Sequence, residues 1–226
     1  MMKRKRNPLD LRLYGLVDPA RTSEPDLAAA ARAAVAGGAT ILQYRDKNAS
    51  TRELVARAHA IKAALAGTGV PLLINDRADV AFAVGADGVH LGQDDLDPAT
   101  ARQLLGDDAI IGQSIKSHAH VAAAPLDLLD YVCIGGVFGT ASKDNPDPPV
   151  GTDGLARLVA AMRGRDANLP VGAIAGITAG NAAAVIAAGA DGIAVISDIF
   201  MAADIAGAAA QLRAIVDEAL AARRAK

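Results

Sequence analysis

The sequence predicts a closed barrel of eight parallel strands, each followed by a helix, and two observations carry that expectation. The first is a recurring phrase in which a helix runs through a Gly-containing turn into a short apolar strand ending on polar residues. It reads Gly38-Ala39-Thr40-Ile41-Leu42-Gln43, Gly85-Ala86-Asp87-Gly88-Val89-His90-Leu91-Gly92 and Gly189-Ala190-Asp191-Gly192-Ile193-Ala194-Val195-Ile196-Ser197. A degenerate copy without the leading glycine is Leu129-Asp130-Tyr131-Val132-Cys133-Ile134-Gly135. Aligned on Thr40, Asp87, Asp130 and Asp191, the copies stand 47, 43 and 61 residues apart. A strand-helix-strand unit takes about 30 residues, so each step holds two strand-helix repeats and the copies are the even strands of eight. The longest step contains an extra loop from Gly139 to Gly151. The second observation is length: 226 residues without a low-complexity linker match the roughly 250 of one TIM barrel. The expected organisation is a flexible basic tail over residues 1–10 and a single catalytic barrel over 11–226.

In chain order, Leu11 to Val17 reads as strand one, stopped by Asp18-Pro19, with Pro25 in the first turn of helix one. Gly37-Gly38 ends that helix as a left-handed cap would, and strand two delivers Gln43-Tyr44-Arg45-Asp46-Lys47. Ser50 or Thr51 caps a helix to about Ala66, and strand three, Leu72-Leu73-Ile74, ends on Asn75-Asp76-Arg77. A helix from Ala78 leads to strand four, which ends at His90-Leu91-Gly92-Gln93-Asp94-Asp95, and Pro98 opens the next helix. Strand five, Ile110-Ile111-Gly112, ends on Gln113-Ser114. Strand six runs from Tyr131 towards Gly135 and a loop stiffened by Pro146, Pro148 and Pro149. Strand seven, Val171 to Ala175, ends at Gly176-Ile177, and Thr178 caps a helix to Ala188. Strand eight ends at Ile196-Ser197, followed by Ala-rich helix to the C-terminus.

Composition narrows the function. Hydrophobic residues make up 52% of the chain and aromatics only 3%, so Ala, Val, Ile and Leu must build the core, which suits a barrel interior. A formal charge of -2 gives no electrostatic reason to expect nucleic acid and leaves small molecules as the partners. No apolar run approaches the about 18 residues that span a bilayer, and the basic start lacks a signal-like apolar stretch. A cytoplasmic protein is expected, with self-association left open. Cys133, the single cysteine, sits in an apolar strand and reads as a buried structural thiol rather than a nucleophile.

Polar residues gather after the strands, and in a barrel all of those ends open on one face. Asp76 and Asp95 follow neighbouring strands, so their carboxylates can converge on one hard cation such as Mg²⁺, with Asp94 competing for the second position. Arg45, Lys47 and Lys143 lie just beyond strand ends, as a polyanionic ligand such as a diphosphate requires. Gly176-Ile177 and Ile196-Ser197 occupy the loops after strands seven and eight, where barrels bind a phosphate through backbone N–H groups. His59, His90, His118 and His120 form neither a metal spacing nor a triad and read as structural or solvated. No P-loop signature is present. The residues alone therefore point to a barrel enzyme with a diphosphate-metal site and a separate monophosphate site.

Six phrases in order resemble the thiamine phosphate synthase family over nearly the whole chain. They are Gln43-Tyr44-Arg45-Asp46-Lys47, Asn75-Asp76, His90-Leu91-Gly92-Gln93-Asp94-Asp95, Thr140-Ala141-Ser142-Lys143, Ala175-Gly176-Ile177 and Val195-Ile196-Ser197. The resemblance implies a transferase that joins hydroxymethylpyrimidine diphosphate to thiazole phosphate, giving thiamine monophosphate and pyrophosphate. It implies that Gln43 and Asn75 hold the pyrimidine, that Arg45, Lys47, Ser114 and Lys143 hold the diphosphate, and that Asp76 and Asp95 hold Mg²⁺. It further implies that Thr140, Ser142, Gly176, Ile196 and Ser197 hold the thiazole phosphate. The chain departs from the family pattern at Gly136 and Gly139, where prolines are usual, at Lys116, where a small residue or His is common, and over Asn145 to Pro149, an apparent insertion. The alternatives are a thiazole tautomerase-like paralogue, which has no use for a diphosphate-metal cluster, and a non-catalytic thiamine-phosphate-binding protein.

Overall fold

A computed structural model describes residues 9–140 and 148–225. Eight strands close into a barrel in sequential order, every neighbouring pair parallel, with β8 returning to β1. They are β1 Leu13–Val17, β2 Ile41–Tyr44, β3 Leu72–Asn75, β4 Gly88–Leu91, β5 Ile110–Ile115, β6 Tyr131–Ile134, β7 Val171–Ile174 and β8 Gly192–Val195. The helices are α1 Leu27–Ala36, α2 Thr51–Ala64, α3 Ala78–Val84, α4 Pro98–Leu105, α5 His118–Ala123, α6 Gly151–Arg165, α7 Ala182–Ala187, α8 Ser197–Phe200 and α9 Ile205–Arg224. The predicted (β/α)8 architecture is the observed one. Met1 to Pro8, most of the expected tail, lie outside the described residues; Leu9 packs against the barrel interior and Asp10 accepts the Arg12 guanidinium at 2.9 Å.

Alternation along the strands splits the core in two. Leu11, Tyr14, Leu16, Ile41, Leu73, Ile110, Tyr131, Cys133 and Ala194 cluster inside the barrel. Their neighbours, Leu42, Tyr44, Leu72, Ile74, Ile111 and Val132 among them, join the apolar faces of the helices in the larger outer core. Ala, Val, Ile and Leu supply most of both layers, as composition implied, but Tyr14 and Tyr131 stand inside the barrel and Tyr44 and Phe200 in the outer core.

The repeated phrase is explained at the N-terminal end of the barrel. The carboxylates of Asp87, Asp130 and Asp191 accept the backbone N–H of Leu72 (2.8 Å), Ile111 (2.9 Å) and Val171 (2.9 Å), each at the start of the preceding odd strand. Thr40 does the same with its hydroxyl, accepting from Leu13 N–H at 3.1 Å and donating to the Leu13 carbonyl at 3.0 Å. The backbone N–H groups of Thr40, Asp87, Asp130 and Asp191 donate to the carbonyls of the same four partners at 2.7 to 2.9 Å. Each odd-even strand pair is thus clamped twice at its base. The glycine that follows has its own cause: a Cβ on Gly88 would lie 1.9 Å from the Ile110 carbonyl oxygen and one on Gly192 1.7 Å from that of Leu11. The aspartate ties each strand pair together, and the glycine admits the next strand.

Several element ends differ from expectation. Strand one begins at Leu13, and strand five continues to Ile115 because Ser114 and Ile115 still pair with Cys133 and Ile134. Pro25 precedes the cap of α1; Asp26 accepts from the N–H of Ala28 and Ala29, leaving no role for proline inside the first turn. Ser50, not Thr51, caps α2, in a reciprocal pair with Glu53. Thr178 does not cap α7, which starts only at Ala182. Strands seven and eight stop at Ile174 and Val195, and Ser197 already belongs to α8.

The Asp130 clamp is sealed by Arg102, whose guanidinium reaches its carboxylate at 2.9 Å and also donates to the carbonyls of Ala109 and Leu128. Asp130 has no solvent exposure. Arg102→Met leaves an uncompensated buried carboxylate, and urea unfolding should show a loss of about 3–5 kcal/mol. A loss under about 1 kcal/mol, typical of an exposed pair, would show that the clamp does not need its arginine.

Candidate functional site

The C-terminal ends of the strands surround a cavity of about 470 Å³ lined by residues from every strand or the loop after it. Gln43, Arg45, Asn75, Ser114, Thr140, Gly176, Ile196 and Ser197, all expected at the site, line this one cavity. Lys47, Asp76 and Asp95 sit together beside it, on the loops that continue β2, β3 and β4. Ser142 and Lys143 lie outside the described residues, as do residues 145–147 of the expected insertion over Asn145 to Pro149.

Arg45 follows the last residue of β2, and its guanidinium is ion-paired with Asp18, which is 3% exposed and also accepts from Ala20 N–H at 3.0 Å. A cation anchored in this way faces the cavity in one orientation. Asp46 folds the next turn by accepting from the N–H of Asn48 and Ala49 at 3.0 Å, and it pairs with Arg57 at 2.6 Å. The Tyr44 phenol is pushed up to about 12 by burial and by the neighbouring Asp46 carboxylate.

Asp76 occupies the left-handed region at φ 63°, and its N–H is fixed to the His90 carbonyl at 2.8 Å. Its carboxylate is ion-paired with Lys47 and touches that of Asp95. Burial would raise Asp76, but the hydrogen bond with Asp95 and the Lys47 ammonium outweigh it and hold the group below the ordinary carboxylate range. Asp95 moves the other way, raised by burial and by the Asp76 carboxylate. Two carboxylates in contact must share a proton or a cation. Asp95 is also held by Gly92 N–H at 2.7 Å, and a Cβ on Gly92 would lie 2.8 Å from that carboxylate and push it aside. No group of three or more His, Cys, Asp or Glu side chains arranged for a metal exists among the described residues. A cation on Asp76 and Asp95 would therefore draw its remaining ligands from water or substrate oxygens.

On the opposite side, Ala175 and Gly176 both take positive φ, 88° and 64°. A Cβ on Gly176 would come within 2.4 Å of the Gly139 carbonyl oxygen, so glycine lets the loop after β7 press against the loop after β6. The N–H of Phe138 fixes that contact on the Ala175 carbonyl at 3.0 Å. Gly136 is also left-handed, at φ 73°, a conformation closed to the proline usual in the family pattern. Asp198 accepts from Ala179 N–H at 2.9 Å and joins the loops after β7 and β8.

The floor holds side chains that sequence reading missed. His90 is buried, not solvated: it is 7% exposed, lines the cavity, and bridges the Tyr131 hydroxyl (2.8 Å) and Ser114 Oγ (2.9 Å) through its two ring nitrogens. Tyr131 meets the Tyr14 hydroxyl at 2.9 Å, and Gln43 Nε2 donates to Tyr14 in turn. Lys116 lines the cavity as a further cation. The repeat itself held the signal for His90, which stands three residues after Asp87 as Gln43 stands three after Thr40. His120 accepts the Lys116 N–H at 3.2 Å at the start of α5 and is outside the cavity lining, as is His118.

The family model for thiamine monophosphate synthase matches residues 13–199. The chain belongs to that family. It is 55% identical over 218 residues to the thiamine-phosphate synthase of Agrobacterium fabrum, covering 96% of this chain and 99% of that one. The thiamine-phosphate synthase of Azorhizobium caulinodans is 45% identical over 211 residues, 93% of this chain and 97% of its own length. Among solved structures, a thiamine phosphate pyrophosphorylase from Pyrococcus furiosus aligns with a TM-score of 0.80 at 36% identity, covering 93% of this chain and 98% of that one. Among the described residues, no helix is long and apolar enough to cross a membrane.

Cys133 lines the floor yet is 1% exposed, and burial pushes its thiol up to about 12. It stays protonated at neutral pH, as expected of a structural thiol. Ellman's reagent at pH 8 should leave the native protein unmodified and titrate the thiol after unfolding in urea. Rapid reaction of the native protein would show an accessible thiolate.

Proposed function

We propose that the chain condenses hydroxymethylpyrimidine diphosphate with thiazole phosphate, releasing pyrophosphate and forming thiamine monophosphate. The observation that carries this reading is the meeting of an anchored cation, a carboxylate pair, the glycine-shaped loops after β6 and β7 and the loop after β8 around one cavity, in a chain of this family. Gln43 and Asn75 take the pyrimidine, and Arg45, Lys47 and Ser114 take the diphosphate, with Lys143 assigned there by its motif. Thr140, Gly176, Ile196 and Ser197, with Ser142 by its motif, take the thiazole phosphate.

The Asp76–Asp95 pair fits Mg²⁺, because a divalent cation would offset the burial and the neighbouring Asp76 charge that together raise Asp95. Bound there, Mg²⁺ would neutralise charge on the departing pyrophosphate. The chain's own residues do the rest. Arg45, oriented by Asp18, and Lys47 stabilise the leaving group as the bond to the pyrimidine methylene breaks. The thiazole nitrogen supplies the electron pair for the new bond to that methylene, a step that binding both substrates in one cavity favours. No protein nucleophile is required, and buried Cys133 is not suited to be one. A carboxylate pair beside two cations supports the synthase over a thiazole-only tautomerase or a binding protein, neither of which has a leaving group to stabilise.

Purified protein given pyrimidine diphosphate, thiazole phosphate and Mg²⁺ should release pyrophosphate only when all three are present. Asp76→Ala should lower kcat by about 10²-fold or more with the melting temperature held, whereas Ser197→Ala should raise chiefly the KM for thiazole phosphate, by about tenfold. Pyrophosphate release without thiazole phosphate, or an unaltered Asp76→Ala enzyme, would contradict the assignment.

A further inference from the structure

The cavity floor is crossed by one continuous hydrogen-bond chain, Gln43–Tyr14–Tyr131–His90–Ser114, and counting its hydrogens gives it a direction. Gln43 Nε2 donates to the Tyr14 oxygen. The single phenolic hydrogen of Tyr14 then goes to the Tyr131 oxygen at 2.9 Å, and that of Tyr131 goes to His90 Nδ1 at 2.8 Å. His90 therefore carries its hydrogen on Nε2 and donates to Ser114 Oγ at 2.9 Å, which leaves the serine hydrogen for a ligand. Burial raises both phenols well above their ordinary value, so each keeps its hydrogen at working pH. At the far end, Gln43 Oε1 is buried without a hydrogen-bond partner, in a residue that lines the cavity and is 1% exposed. Space for the chain is built in: a Cβ on Gly112 would stand 2.0 Å from Tyr131 Cζ.

Turning the Gln43 amide over reverses every link. Ser114 would then donate to His90 and present only lone pairs to the cavity, while Gln43 would present its NH₂. An anion against Ser114 selects the first arrangement, and the chain delivers that choice to Gln43 on the other side of the barrel. Building on the functional reading above, we propose that Tyr14 and Tyr131 are positioning residues that lock the Gln43 carbonyl towards the cavity, so that the site accepts an amino-substituted pyrimidine and rejects its oxo analogue. A buried acceptor that must meet N–H is left unpaired, or faced by another oxygen, when the amine is replaced by a carbonyl.

The test compares kcat/KM for the 4-amino and 4-oxo pyrimidine diphosphates in the wild type, Tyr14→Phe and Tyr131→Phe, with melting temperature and the KM for thiazole phosphate measured alongside. The wild type should favour the amino substrate by at least 10²-fold. Each phenylalanine variant frees the amide to rotate and should reduce that ratio at least tenfold, with the thiazole phosphate KM unchanged. A merely structural role would lower both substrates together and keep the ratio. Should a variant fail to fold, equal wild-type kcat/KM for the two diphosphates would itself overturn the inference, and the 10²-fold amino preference would sustain it. Turnover of the amino substrate with the same ratio in all three proteins would sink this inference alone. A wild type that binds neither diphosphate would overturn the functional reading and the inference with it.

Discussion

The barrel depends on the clamp at its N-terminal end. The first N–H of an odd strand lies where the ladder begins, and leaving it buried without an acceptor costs about 1–3 kcal/mol. Asp87, Asp130 and Asp191 meet that need with charge-assisted bonds to Leu72, Ile111 and Val171. Placing carboxylates under a barrel has its own cost, offset where Arg102 reaches Asp130 and where Arg163 and Arg223 both reach Asp191. Thr40 shows the neutral solution: one hydroxyl both accepts from and donates to Leu13, and no arginine is involved. Four chemically related residues at one repeat position therefore solve one problem four times.

That base sets what stands higher in the barrel. One residue past the clamp, Ile41, Gly88, Tyr131 and Gly192 point inward; three past it come Gln43, His90, Cys133 and Ala194, which form the cavity floor. The layers of four from alternate strands are those a barrel interior requires. Two glycines in the lower layer let neighbouring backbones approach, and Gly112 on β5 makes room for the ring of Tyr131. The phenol can then reach both Tyr14 and His90. A polar floor is possible here because each hydroxyl and ring nitrogen finds a partner within the barrel.

The fold was legible because its period is long and its phrases repeat; the element ends were not. Gln113-Ser114 reads as the end of a strand when polarity is taken as the mark of a loop, yet Ser114 faces a polar cavity and β5 runs past it. Pro25 reads as a helix start, but Asp26 supplies the acceptor that an N-terminus needs. For the site, Arg45, Lys47, Asp76 and Asp95 could be grouped from sequence because strand ends in a barrel share a face. Tyr14 and Tyr131 could not, because a tyrosine inside an apolar strand looks like core until closure brings β1 and β6 within reach of each other across the interior. Asp18 was hidden for a related reason: beside Pro19 it reads as a turn, and only the neighbouring β2 shows that it holds Arg45.

Stability and strain are kept at opposite ends of the same strands. The base carries paired charges and closed hydrogen bonds, whereas the mouth carries left-handed Asp76 and Ala175 and two carboxylates in contact. Asp76 shows why strain belongs there. Asn75 faces the cavity, so an extended backbone would turn the next side chain outward to the helices. The left-handed turn, which aspartate tolerates better than most residues, instead brings the carboxylate to Lys47 and Asp95. The bond from Asp76 N–H to the His90 carbonyl holds that turn against the adjoining strand. The mouth can bear the cost because the base, bonded twice at every strand pair, does not rely on it.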